Sequence, residues 1–223
     1  LPEYRIAIVP VTVFQQNCTI VWDAETKHCI IVDPGGEVGR ILDVLSTQEL
    51  RCEAILLTHG HLDHAGGALA TKGTIDAEHA RRGWAPVPVI GPDERDRFLL
   101  EGIEEQAAKM GFSGLRNVTP DRFLREGDTV DAIGLHFEVL HCPGHTPGHI
   151  VFVEKTQRWA LVGDVIFKGS VGRTDMPYGD HAALIAAIKE KLLPLGDDIG
   201  FICGHGTGST FGAERADNPF LKE

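Results

Sequence analysis

The chain has 223 residues, 43% hydrophobic and 24% charged, with 26 Gly and 12 Pro; this excludes the disordered, collagenous and membrane-spanning classes and leaves enough chain for one sizeable core. Lys and Arg total 21 against 32 Asp and Glu, a formal charge of −11, so the average surface repels polyanions and a general nucleic-acid binder is disfavoured. Five cysteines, Cys18, Cys29, Cys52, Cys142 and Cys203, stand apart with no Cys-x-x-Cys pair, the pattern of buried free thiols rather than of a disulfide framework or a thiolate zinc site.

Short β-branched runs at Tyr4–Val9, Cys18–Trp22 and Cys29–Val32, bounded by polar or Gly/Pro breakers, predict three strands. The apolar stretch Ile6 to Phe14 is broken by Pro10 and Thr12 and falls short of the roughly 20 residues a membrane span needs. No secretory pattern precedes it, so a cytoplasmic protein with no membrane partner is expected, Leu1 marking a processed or truncated edge. Val38, Ile41, Leu42 and Leu45 recur at helical spacing and predict an amphipathic helix over Val38–Leu50, after which Ala54–Leu57 returns as a fully apolar strand. Residues Lys72–Gly111 read as an irregular covering excursion, with a strand at Val87–Ile90, helical stretches at Asp93–Leu100 and Gly102–Met110, and Trp84. Strand signals resume at Thr129–Ile133, Leu135–Leu140, Ile150–Val153 and Trp159–Val162, followed by a helix at Asp180–Leu193 and a last strand at Ile199–Cys203. That order predicts one α/β domain over residues 1–223, with two sheets packed face to face and helices outside.

Three of the eleven histidines fall within Thr58-His59-Gly60-His61-Leu62-Asp63-His64, directly after an apolar strand and before small residues, where sites form in layered α/β proteins. Neutral imidazole and carboxylate are ligands for zinc, iron or manganese. Four such groups on one short turn cannot all reach one ion, whereas two ions about 3.5–4 Å apart would divide them. His141, His145 and His149 are spaced as on a helix, yet Pro143, Gly144, Pro147 and Gly148 forbid one, so they belong to a loop. Asp164 after Gly163, and His205 after Gly204, close two further strands. No Gly-x-Ser-x-Gly occurs and neither Cys142 nor Cys203 sits in an activating motif, which leaves water as the nucleophile.

This ordered series, from Asp33-Pro34-Gly35-Gly36 through Thr58–His64, Pro143–His149, Gly163-Asp164 and Gly172–Asp175 to Gly204-His205-Gly206, resembles the metallo-β-lactamase superfamily, and within it the short glyoxalase II-like hydroxyacylglutathione hydrolases. The resemblance implies a four-layer αββα sandwich of two mixed sheets with outer helices. It implies one divalent ion on His59, His61 and His145, a second on Asp63, His64 and His205, and Asp164 bridging them, with Asp63 and Asp164 as the catalytic carboxylates; zinc is expected, iron or manganese being the alternatives. Asp33 and His149 would orient ligands, although an Asp-Pro-Gly segment is equally a plain turn. The implied activity is hydrolysis of S-acylglutathione thioesters, S-lactoylglutathione above all, by a metal-bridging hydroxide, with thiolate leaving unaided. Only 18 residues follow His205, so the helical segment that holds glutathione in longer relatives is not expected and recognition would be reduced or built differently. Arg173 and Tyr178 are the candidate substrate contacts, a solvated loop being the alternative for Arg173. The rival readings are a persulfide dioxygenase with a single iron and a non-catalytic metal-binding protein on the same fold; the sequence does not fix the oligomeric state.

Overall fold

The computed structural model describes residues 2–222. Its first sheet holds β1 (Tyr4–Val11), β2 (Gln16–Asp23), β3 (His28–Val32), β4 (Arg51–Leu56) and β5 (Val89–Ile90) in that spatial order. β1, β2 and β3 run antiparallel, whereas β3, β4 and β5 are parallel, which requires crossovers: α1 (Val38–Gln48) joins β3 to β4, and α2 (Leu62–Ala65) with α3 (Ala68–Arg82) joins β4 to β5. α4 (Arg97–Glu101) and α5 (Ile103–Lys109) then lead to the second sheet, built from β6 (Thr129–Ala132), β7 (Leu135–His141), β8 (Ile150–Glu154) and β9 (Trp159–Gly163). A small hairpin, β10 (Ile166–Phe167) with β11 (Ser170–Val171), precedes α6 (His181–Ala187). β12 (Gly200–Cys203) lies parallel to β9, and β13 (Ser209–Thr210) and α7 (Phe211–Asp217) follow. Both large sheets are mixed, and the second runs β13-β12-β9-β8-β7-β6.

Period-two side-chain alternation distributes the apolar residues over three cores. In β4, Ala54 and Leu56 face the space between the sheets, while Ile55, and Leu57 just past the strand, face α1 and α3. In β8, Ile150 and Phe152 meet the first sheet, and Val151 and Val153 pack under α6. This both-faces burial explains why these strands are continuous apolar runs. The layers are therefore helix, sheet, sheet, helix, the expected αββα sandwich.

Two details differ from the sequence reading. Ala68–Arg82 is a 15-residue helix rather than irregular chain; its buried residues are Ala68, Thr71, Ile75 and His79, a stripe with helical spacing but too polar to register as apolar periodicity. The helix predicted over Asp180–Leu193 is α-helical only to Ala187, starting where Asp180 Oδ1 accepts from Ala183 N (2.9 Å), and then continues through a wider turn, Ile188–Leu192.

Candidate metal centre

Four of the strands that pair in parallel, β3, β4, β9 and β12, end on the same rim with a residue singled out from the sequence: Asp33 after β3, His59 and His61 after β4, Asp164 after β9, His205 after β12. The loop between β7 and β8 adds His145 and His149. Carboxyl ends of parallel strands are where a layered α/β fold leaves a crevice.

Each imidazole is held from its outer nitrogen. Thr58 Oγ1 donates to Asp33 Oδ2 (2.6 Å) and so accepts from His59 Nδ1 (3.0 Å). His64 Nδ1 donates to Asp33 Oδ2 (2.8 Å), His145 Nδ1 to the Arg173 carbonyl (2.8 Å) and His205 Nδ1 to the Phe14 carbonyl (3.1 Å). Those partners turn Nε2 of all four inward, and leave the Nε2 of His59 and His145 bare. His61 has the opposite orientation: Nε2 meets the Tyr178 hydroxyl (2.9 Å), and Nδ1 lies 3.1 Å from His59 Nε2 and 3.0 Å from His145 Nε2. Three imidazole nitrogens, at least two of them lone pairs, thus converge on one point.

Beside them, Asp63, His64 and His205 form a second group of convergent donors. Asp164 stands between the two, Oδ2 at 3.5 Å from both His145 Nε2 and His205 Nε2, Oδ1 at 3.3 Å from His64 Nε2. His64 Nε2 and Asp164 Oδ1 are nevertheless buried without a hydrogen bond, an arrangement that costs free energy unless a cation fills it. The residues present therefore fit divalent ions. Asp33, also bound to Thr58 N (2.8 Å), orients His64 and, through Thr58, His59. His149 stacks on His59 and accepts from Asp164 N (3.0 Å), which fixes the backbone that presents the carboxylate. His141 lies apart and donates to the Pro147 carbonyl (2.8 Å).

Burial pushes His59, His145 and His149 below the ordinary imidazole value, and His61 down to about 3 with help from His145; these rings are neutral and available as ligands. Burial acts the same way on His64 and His205 but is outweighed: Asp164 and Asp63 hold His64 well above its usual value, and hydrogen bonds to the same two carboxylates raise His205 to about 9. Burial likewise resists ionisation of Asp164 and Asp63, yet the surrounding imidazoles, His64 first, keep both below the normal carboxylate range. Protons on His64 and His205 thus hold the place of positive charge that this half of the site requires.

The groups open into a cavity of about 410 Å³, walled by Phe14, Leu62, Gln106, Met110, Arg173, Met176 and Tyr178. Arg173 reaches it, but its exposed guanidinium is bound to both oxygens of Asp175 (2.7 Å each), and its carbonyl serves His145. Tyr178, expected as a pocket wall, is also the partner of His61. Of the Lys72–Gly111 segment, Gln106 and Met110 line the cavity, whereas Trp84 lies outside it, its ring in contact with the guanidinium groups of Arg51 and Arg82. Sequence reasoning passed over Asp96. This fully buried carboxylate accepts from Gly60 N (2.9 Å), Thr146 Oγ1 (2.7 Å) and Gly148 N (2.6 Å), and burial pushes it up to about 6 despite those donors.

A model of the metallo-beta-lactamase superfamily matches residues 11–205. The chain belongs to this superfamily. Hydroxyacylglutathione hydrolase GloC of Haemophilus influenzae is 46% identical over 218 residues, spanning 97% of this chain and 98% of its own. Among solved structures, the BLEG-1 B3 metallo-beta-lactamase superposes with a TM-score of 0.86 at 30% identity over 98% of this chain and 100% of its own; TTHA1623, in a di-iron-bound form, gives 0.82 at 36% over 96% and 100%. The family and the full-length match to a hydrolase make this chain a metallo-hydrolase. All five cysteines are free and buried, and among the described residues no helix is long and apolar enough to cross a membrane.

Proposed function

We propose that this superfamily member hydrolyses thioesters of glutathione, with S-lactoylglutathione as the leading substrate, using two divalent ions, zinc first among them. One ion would sit on His59 Nε2, His61 Nδ1 and His145 Nε2, the other on Asp63, His64 Nε2 and His205 Nε2, with Asp164 shared. The observation that carries this reading is the convergence of bare imidazole nitrogens within 3.1 Å beside the orphaned His64 Nε2 and Asp164 Oδ1. The identity with a hydroxyacylglutathione hydrolase supports the substrate class, and reduced, buried thiols suit a cytoplasmic setting.

When bound, the ions supply Lewis acidity, which brings the pKa of water from 15.7 to about 7 and polarises a carbonyl. The chain's own residues do the rest. Asp33, Thr58, Arg173 O and Phe14 O keep the imidazoles in one tautomer. Asp63 lines the cavity; with Oδ2 turned toward His64 and His205 and so toward the ion, its other oxygen would take the proton of the attacking water. The water oxygen bonds to the thioester carbon, the C–S bond breaks, and sulfur leaves with the electron pair; a thiol pKa near 8.5 means the thiolate needs no acid to protonate it. The Phe14, Leu62, Met110 and Met176 walls would hold the acyl group, and Arg173, partly neutralised by Asp175, would meet a glutathione carboxylate at the mouth. Loss of S-lactoylglutathione absorbance tests the reading: turnover should vanish on chelation and return with zinc, and a zinc-loaded protein inert toward this thioester would remove the substrate assignment.

A further inference from the structure

The turn after β4 carries His59 and His61, and the loop between β7 and β8 carries His145. They belong to different sheets and are joined at their base by Ile150 N donating to Thr58 O (2.9 Å). At the level of the imidazoles His149 stacks on His59, and a side chain from neither sheet hydrogen-bonds both segments. Asp96 ends a single 3₁₀ turn, Glu94–Asp96, just before α4. Asp93 caps this turn by accepting from Arg95 N (2.9 Å), and its own N–H docks on the Gly148 carbonyl (3.1 Å).

From there Oδ2 of Asp96 takes Gly60 N–H and Thr146 O–H, and Oδ1 takes Gly148 N–H. Every donor is next to an imidazole: Gly60 separates His59 from His61, Thr146 follows His145, and Gly148 precedes His149. Close approach explains the two glycines. A Cβ on Gly60 would lie 2.8 Å from Leu99 Cβ and 3.0 Å from Asp96 O; one on Gly148 would lie 2.5 Å from Asp96 N and 2.8 Å from Asp96 Cγ. Asp96 does not line the cavity, so it touches neither substrate nor reacting atoms.

We propose that Asp96 is a positioning residue for the metal centre: one carboxylate, holding Gly60, Thr146 and Gly148 together, sets the spacing between the turn bearing His59 and His61 and the loop bearing His145, and thereby the affinity of that three-imidazole seat. The inference rests on the metal reading above. Zinc–imidazole bonds are about 2.0–2.1 Å and tolerate little departure, so a loop free to drift by an ångström forfeits affinity that the ligands alone cannot restore. It also gives the segment between α3 and β6 a task in the site that its cavity-lining residues do not account for.

Asp96→Asn tests it, because an amide can accept at only one end and must turn N–H toward a donor at the other. Thr146→Val removes one donor and Thr146→Ser restores it, so the question stays open to refutation even where Asp96→Asn folds poorly. The full chain is stripped of metal and titrated with zinc against a competing chelator, beside a thermal melt and S-lactoylglutathione kinetics. Asp96→Asn should weaken one of two zinc steps by about 10–100-fold, the range for groups that orient ligands, leave the other within about threefold, and lower kcat at unchanged KM. Thr146→Val should shift the same step by a smaller factor, with Thr146→Ser within about twofold of the parent. A lower melting temperature with both zinc steps unchanged overturns the proposal, because Asp96 is then structural only. A parent that binds no zinc sinks the metal reading itself, which separates the two failures.

Discussion

Asp33→Asn changes one atom and little volume, and the left-handed backbone at this position (φ 51°) is one that Asn adopts readily, so any effect comes from hydrogen bonding. The carboxylate accepts from Thr58 N on Oδ1 and from Thr58 Oγ1 and His64 Nδ1 on Oδ2. If the amide keeps its oxygen toward Thr58 N, its NH2 faces His64, which must then accept on Nδ1 and carry its proton on Nε2, the nitrogen intended for metal. If the amide flips, two donors meet at Thr58 N in a buried site. A buried unsatisfied donor costs about 1–3 kcal/mol, which for a domain of this size lowers the melting temperature by roughly 2–12 °C. The metal cost should be about 10–100-fold in affinity. Melting of the metal-free protein reads the first quantity and zinc competition the second. An Asp33→Asn protein that keeps the parent zinc affinity within twofold would refute the reasoning, because His64 would then not depend on Asp33 for its tautomer.

Asp164→Ala removes the carboxylate that faces both donor groups, so thioester hydrolysis should fall by more than the roughly 100-fold upper range for an outer partner; normal turnover with two ions bound would contradict its bridging place. Arg173→Ala removes an exposed cation already bound to Asp175, so KM for S-lactoylglutathione should rise no more than about fivefold at constant kcat, the scale of exposed ion pairs, and unchanged kinetics would take Arg173 out of recognition. Zinc binding at the Asp63, His64 and His205 group displaces protons, because His205 is raised to about 9 and His64 is raised as well. Affinity of that step should therefore climb about tenfold per displaced proton per pH unit up to about pH 9, while the step at the lowered His59, His61 and His145 stays flat above neutrality; competition titrations at three pH values would reveal two equally flat steps if this is wrong.

The donor set was legible because its chemistry is local: His59, His61, Asp63 and His64 occupy one turn, and Asp164 and His205 each follow a strand. The sandwich was legible because β4, β8 and β9 are apolar on both faces. α3 escaped because its buried stripe is Ala68, Thr71, Ile75 and His79, which has the period of a helix without the hydrophobic contrast. Asp96 escaped for a different reason. Two of its three partners are backbone amides, 36 and 52 residues away, and a backbone donor leaves no residue-type signature; only the recurrence of glycine beside His59 and His149 hints at it. Arg173 lines the cavity, but its pairing with Asp175 two residues on depends on a loop conformation that spacing alone does not dictate.

The account depends most on two ions acting together through Asp164. Metal-free protein reconstituted with zero, one and two equivalents of zinc, assayed for S-lactoylglutathione hydrolysis at each point, addresses that directly. Activity should stay low through the first equivalent and rise with the second. Full turnover at one equivalent, or a single tightly held iron accompanied by oxygen consumption with a persulfide substrate, would contradict the dinuclear hydrolase.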